Sequence, residues 1–176
     1  MPGPPFVHGD GVDLHTIEEE DLPFLQETIN DPAVRRYLGN RQPYTMEQER
    51  EWFEEQVNGD GATTLLVVAD GDPAGVVSVG EMPQMPSSAE IGINLAQAFW
   101  NQGYGTEASR LMTDYAFRER RYHRVMARVY DPNEGSKRIW EKLGYRHEGR
   151  HREADWADGE FVDVHRYAIL EHEWRD

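Results

Sequence analysis

Glu90-Ile91-Gly92-Ile93-Asn94-Leu95, followed by Phe99-Trp100-Asn101-Gln102-Gly103-Tyr104-Gly105-Thr106-Glu107-Ala108, is the stretch that decides the architecture. A short apolar strand passes through a connection, Ala96 to Gln102, into a glycine-spaced turn, and the turn opens a helix. Such a turn leaves several backbone N–H groups unpaired at the positive end of the helix dipole, a geometry that binds phosphate.

Outward from this stretch, the hydrophobic pattern predicts an α/β chain with a mixed sheet. Toward the N-terminus, Val12 to Ile17 alternates as a strand, and Glu18 to Asp21 puts acids on the first turn of a helix carrying Leu22, Leu25 and Ile29. Asp31-Pro32 caps a second short helix through Leu38, and Thr45-Met46-Glu47-Gln48 is a capping box for a third. Ala62 to Asp70 and Pro73 to Met82 form a hairpin around Asp70-Gly71-Asp72. Toward the C-terminus, Gly103 to Arg120 is a long helix, Arg124 to Tyr130 a strand, and Asn133 to Leu143 a helix stopped at Gly144. Tyr145 to Glu153 and Phe161 to Leu170 close the chain as a hairpin around Ala157-Asp158-Gly159. The unit Glu90 to Tyr130 is strand–helix–strand and is expected to be parallel with a right-handed crossover. No linker or repeat divides the chain, so residues 1–176 are expected to form one domain.

Composition excludes several classes. The chain has no Cys, which rules out disulfides, thiolate metal sites and a cysteine nucleophile. No run of eighteen apolar residues exists, and Met1 to Pro5 lacks the pattern of a signal peptide, so a cytoplasmic location is expected. Acids outnumber bases 33 to 18, for a net charge of −15, and only Lys137 and Lys142 are lysines. A field of that sign repels nucleic acid and anionic membranes and attracts cations such as protonated amines. It also suits a halophilic host, where surface carboxylates hold hydration. No His-x-x-x-His pair falls on a predicted helix, and no metal site is expected.

Gly103-x-Gly105-x-x-Ala108 fits the dinucleotide fingerprint as well, which keeps a nicotinamide-dependent oxidoreductase in view. Three features oppose it. The glycines should follow the strand at once, Asp131 lies well beyond the usual spacing for the ribose acid, and the preceding hairpin leaves too little chain for a doubly wound sheet.

With Asn133-Glu134-Gly135-Ser136 and Trp140-Glu141-Lys142-Leu143-Gly144-Tyr145, the glycine turn resembles the GNAT superfamily of acyl-CoA-dependent N-acyltransferases. The family pattern reads Arg/Gln-x-x-Gly-x-Gly/Ala, and here Trp100 stands at the Arg/Gln position. That departure is similar to the branch of ribosomal-protein-alanine/serine N-terminal acetyltransferases. The resemblance implies a mostly antiparallel sheet of six to seven strands around the parallel βαβ unit, flanked by helices. It implies acetyl-CoA as co-substrate, with its pyrophosphate cradled by the amides of Gln102, Gly103, Tyr104, Gly105 and Thr106. Pantetheine is expected to pair with the backbone of Ile93, Asn94 and Leu95 and with Asn133, and Arg110, Lys137 and Arg138 add local positive charge.

The implied reaction is direct attack of a primary amine on the thioester in a ternary complex. The amine must lose a proton, the oxyanion needs a donor and the thiolate is helped by a proton. Ser136 is expected to protonate the thiolate, because the indole of Trp140 occupies the position where many family members carry an acidic Tyr. Two carboxylates compete as base. Glu90 shares a strand face with Asn94, opposite Ile91, Ile93 and Leu95. Asp155 follows from the branch resemblance and, being shorter than the expected Glu, calls for a bridging water. The acceptor, a protein N-terminus or a small-molecule amine, is expected to enter between the N-terminal helices and the closing hairpin. That hairpin also supplies an edge for a homodimer. An acyl-CoA-sensing module without catalysis is the other reading of the same turn.

Overall fold

The computed structural model describes residues 2–174; Met1, Arg175 and Asp176, the ends of the expected domain 1–176, lie outside the described residues. Eight strands form one sheet: β1 (Pro5–His8), β2 (Val12–His15), β3 (Ala62–Ala69), β4 (Asp72–Glu81), β5 (Ser88–Leu95), β6 (Arg124–Tyr130), β7 (Arg146–Ala157) and β8 (Glu160–Leu170). Their order is β1-β2-β3-β4-β5-β6-β8-β7, and every pair is antiparallel except β5 with β6. This exceeds the expected six to seven strands. The addition is β1, which the proline-rich start of the chain disguised; Pro5 is tolerated because β1 is an edge strand. A mostly antiparallel sheet also rules out the doubly wound architecture on which the dinucleotide alternative depended.

Helices cover both faces. On one side lie α1 (Leu22–Asn30), α2 (Pro32–Arg35) and α3 (Met46–Trp52), the last continuing as a wider turn through Val57. On the other lie α4 (Tyr104–Arg118) and α5 (Glu134–Lys142), and α6 (Glu171–Trp174) ends the described chain. Strand β3 is buried on both faces: Leu65 and Val67 join the core under α4, while Leu66 and Val68 join the core under α1 and α3. Each such side chain contributes roughly 1.5–3 kcal/mol of burial. Along α4, Leu111, Met112 and Ala116 supply the buried stripe.

Local signals hold where the chemistry is local. Thr45 and Gln48 form the capping box of α3, Asn133 caps α5 by accepting from the Ser136 N–H, and Gly144 takes φ +81° after α5. The hairpin turn at Asp158 and Gly159 has both residues at positive φ, as the right-handed twist of its strands requires. Two boundaries differ by more than two residues. Helix α2 stops at Arg35 rather than Leu38, and the chain turns through Gly39 at φ +73°. Strand β7 runs four residues further than expected, to Ala157, after a bulge between His151 and Asp155. Asp155 therefore stands on a strand and not in the hairpin loop.

Candidate active site

Strands β5 and β6 pair only at Ser88↔Arg124, Ala89↔Val125 and Glu90↔Met126. Beyond that register β5 stays with β4 and β6 with β8, so the sheet opens into a wedge. A groove of about 600 Å³ occupies the wedge. Its wall is made of residues 93–95 of β5, the start of α4 at Gly103, Gly105 and Thr106, and Asn133 and Ser136 of α5.

The backbone of β5 faces this groove for a simple reason. Ala96 donates its N–H to Ala74 on β4, and peptide groups alternate in direction along a strand. Ile93 and Leu95 consequently present theirs to the opposite edge, where β6 has departed. The Leu95 carbonyl accepts the Trp100 indole N–H at 2.8 Å, so Trp100 tethers the strand end to the turn that follows. Asn101 and Gly103, at φ +60° and +89°, reverse the chain into α4. At Gly105 a Cβ would lie 2.9 Å from Ile139 Cδ1, and the bare backbone lets α4 and α5 close on one another. Gln102 and Tyr104 send their side chains to the Ala98 carbonyl and the Asp70 carboxylate, and neither residue is part of the groove wall, unlike Gly103, Gly105 and Thr106.

Charge at the groove differs from the sequence expectation. Arg110 is held by Glu107, and Lys137 by Asp131 and Glu134. Arg138 lines the groove, and it is joined by Lys142, one helical turn on. The net charge of −15 conceals this cationic edge.

Ser136 and Asn133 meet in the groove as their spacing suggested. Asn133 Oδ1 accepts the Ser136 N–H at 3.1 Å. Trp140, 1% exposed, donates its indole N–H to Ser136 Oγ at 3.1 Å. An oxygen that accepts from the indole keeps its own O–H for another acceptor.

The two carboxylates fall in different places. Glu90 stands at the last paired register and accepts from Arg128 Nε at 2.6 Å, and neither it nor Asp155 lines the groove or the second cavity described below. Asp155 Oδ2 accepts the Tyr130 hydroxyl at 2.6 Å, while Oδ1 accepts from Arg41 at 3.0 Å and from the Trp156 N–H at 2.8 Å. The Tyr130 hydrogen bond, then the Trp156 N–H and Arg41, hold the Asp155 carboxyl below the usual range against a smaller opposing effect of burial. Burial first, and then the Asp155 hydrogen bond, push the Tyr130 phenol up to about 12.

Tyr130 escaped the sequence reading. Its signal was positional: it ends β6 directly before Asp131-Pro132 and three residues before Asn133. A second cavity, of about 340 Å³, lies between the α2 turn and the tip of β7 and includes Gly39, Arg41 and Trp156. The α2 segment separates the two spaces, with Val34, Tyr37 and Leu38 toward the groove and Arg35, Arg36 and Gly39 toward the cavity.

This wedge, with a glycine turn at one end, defines a class. Residues 12–146 match the acetyltransferase (GNAT) domain family, and the chain belongs to it, as an acyltransferase enzyme. It is 24% identical to the spermidine N(1)-acetyltransferase of Escherichia coli strain K12, over 93% of this chain and 88% of the relative. The spermidine N-acetyltransferase of Vibrio cholerae, solved with CoA and spermine, shares the fold at a TM-score of 0.86, with 22% identity over 96% of this chain and all of the other. RimJ of Mycobacterium smegmatis, solved with CoA-disulfide, shares it at a TM-score of 0.81, with 20% identity over 94% of this chain and 84% of its own. The GNAT resemblance read from the glycine turn is thereby borne out.

Proposed function

We propose that this protein is an N-acetyltransferase that moves an acetyl group from acetyl-CoA to a primary amine by direct attack in a ternary complex. The observation that carries the reading is the wedge beyond Glu90↔Met126, where the strand edge at Ile93 and Leu95, the turn at Gly103 and the Ser136 hydroxyl border one groove. CoA-bound relatives of the same fold support acetyl-CoA as co-substrate. Backbone amides from Gln102 to Thr106 hold its pyrophosphate through fixed dipoles. Arg138 and Lys142 add cations at the same edge. The free peptide edge of β5 takes the pantetheine arm, and a backbone N–H there polarises the thioester carbonyl.

The amine arrives as an ammonium ion and must lose a proton to expose its lone pair. Each carboxylate is paired with an arginine, and we assign the role to Asp155 because its Oδ2 accepts the hydroxyl of Tyr130, which ends β6 three residues before Asn133 of the groove. A carboxylate held below the usual range does not retain a proton. It stabilises the ammonium and passes the proton on through water. The amine nitrogen then attacks the carbonyl carbon, the C–S bond breaks as the amide forms, and Ser136 gives its proton to the departing thiolate while taking up the second proton that the new amide nitrogen sheds. Residues 1–176 act as one domain in this scheme. The edge strand β7 is available for a homodimer.

Calorimetric titration with acetyl-CoA, with NADH as comparator, followed by a thiol-release assay over a panel of amines, tests the proposal. Micromolar acetyl-CoA binding, no NADH response and amine-dependent thiol release are expected. Acetyl-CoA binding without thiol release from any amine would assign the chain to sensing instead.

A further inference from the structure

Residues 132–136 form an unbroken stretch of the groove wall, ending at Ser136. A stretch that starts as a loop and contains Gly135 has little stiffness of its own. Its two ends are nevertheless fastened to each other. Asp131, immediately before it, accepts at 3.1 Å from Nζ of Lys137, immediately after it. Lys137 also donates to Glu134, within the stretch, at 2.8 Å. The chain has only two lysines, and this one holds two carboxylates with 14% of its side chain exposed.

The same Asp131 oxygen ties the wall to the sheet. His165 of β8 meets Asp131 Oδ1 through Nε2 at 2.6 Å, with 12% of its side chain exposed. An ionised carboxylate only accepts, so Nε2 carries the hydrogen. The other nitrogen of that ring, Nδ1, lies 2.8 Å from His147 Nε2 on β7. One polar chain thus runs from the edge strand β7 through β8 to the loop after β6, and on to α5. His165 first, and then Lys137, hold the Asp131 carboxyl below the usual range. An exposed ion pair alone contributes little, but here two largely covered partners share one oxygen, and such a network exceeds the sum of its pairs.

Asp131, Lys137 and His165 stand behind the wall, since none of them lines the groove. Whatever they do there is done through the residues they hold. Within the stretch, Asn133 accepts the Ser136 N–H and Trp140 donates to Ser136 Oγ, which fixes Ser136 inside its own helix. The Asp131 chain fixes that first turn of α5 against the sheet.

We propose that Asp131 is a positioning residue for acetyl transfer: through Lys137 and His165 it holds the wall at residues 132–136 and so aims the Ser136 hydroxyl at the departing sulfur. The inference rests on the acetyl-transfer reading above and adds to it the group that sets the Ser136 geometry.

Hydrogen exchange of the full-length protein, followed by NMR, tests the clamp without reference to catalysis. In Asp131→Ala the hydrogen-bonded amides of Asn133, Ser136 and Lys137 are expected to exchange about tenfold faster, with those of α4 unchanged. Thiol release with an accepted amine should fall about tenfold, while calorimetric acetyl-CoA affinity stays within about twofold of wild type. Asp131→Asn, which keeps an acceptor oxygen, should restore part of both losses. In a Ser136→Ala background the Asp131→Ala change should cost less than about twofold, because nothing is left to aim. Lys137→Met removes the other end of the clamp and should show the same pattern, which keeps the test open if Asp131→Ala does not fold.

Unchanged exchange at the three amides, turnover within about twofold of wild type, or a parallel loss of acetyl-CoA affinity would each overturn the inference. So would a full tenfold cost in the Ser136→Ala background, which would leave acetyl transfer standing. No thiol release from any amine in the wild type would instead remove the acetyl-transfer reading, and this role with it, whatever the exchange data show.

Discussion

The Tyr130 hydroxyl donates to Asp155 Oδ2 at 2.6 Å, reaching from β6 across β8 to β7. The contact exists because Gly39 leaves its side-chain space to the phenol. Gly39→Ala puts a methyl group onto Tyr130 and holds a non-glycine residue at φ +73°. We expect a stability loss of about 1–2 kcal/mol from the backbone alone. Turnover should fall by about tenfold or more as Tyr130 is displaced. Urea denaturation and steady-state kinetics measure the two effects. Unchanged kinetics would show that the Tyr130–Asp155 contact is dispensable.

Asp155→Asn should lower kcat by about a hundredfold, in the range ordinary for a lost acid–base group. Glu90→Gln should stay within a few-fold of wild type, because its carboxylate is occupied by Arg128 at 2.6 Å. The reverse ranking in a thiol-release assay would transfer the proton-draining role to Glu90.

Ser136→Ala removes the hydroxyl that Trp140 orients. Turnover should drop by about ten- to a hundredfold while acetyl-CoA affinity, read by calorimetry, changes little. Equal losses in both would make Ser136 a binding group.

The lowered Asp155 carboxyl has a consequence for stability against pH. Its folded value lies below the ordinary 3.8, so the unfolded chain binds the proton more readily. The stabilisation is therefore full above that ordinary value and is lost as pH falls through the folded one. Urea midpoints of wild type and Asp155→Asn should differ at pH 6, and the gap should narrow steadily as pH falls below 3.8. A gap that does not narrow would assign the difference to something other than ionisation.

Self-repulsion of a −15 surface is screened by salt, and the melting temperature should rise as KCl is added at low concentration. A rise that continues to molar KCl, well beyond the screening range, is expected if the host is halophilic. A plateau at low salt would remove that idea.

Much of this molecule was legible in its sequence. The capping signals at Thr45 and Asn133, the stop at Gly144 and the turn at Asp158-Gly159 are decided within a few residues, where side-chain and backbone chemistry act alone. The same locality made the Gly103–Ala108 turn readable as a family mark. Alternation along β5 likewise separated Glu90 from Ile91 without reference to any neighbour.

Tertiary structure decided what depends on partners distant in the chain. The acids that occupy Arg110 and Lys137, Glu107 and Glu134, stand only three residues before them on the same helices and are local, but that Arg138 and Lys142 line the groove is set by how α5 packs. Tyr130 became a site residue only when β8 set it beside a strand twenty-five residues further on, and a bulge in β7 turned Asp155 to meet it. Local conformation follows from short-range sterics and hydrogen bonding, which a sequence carries in full. Cross-strand contacts and cavity lining follow from long-range packing, which it carries only through the fold.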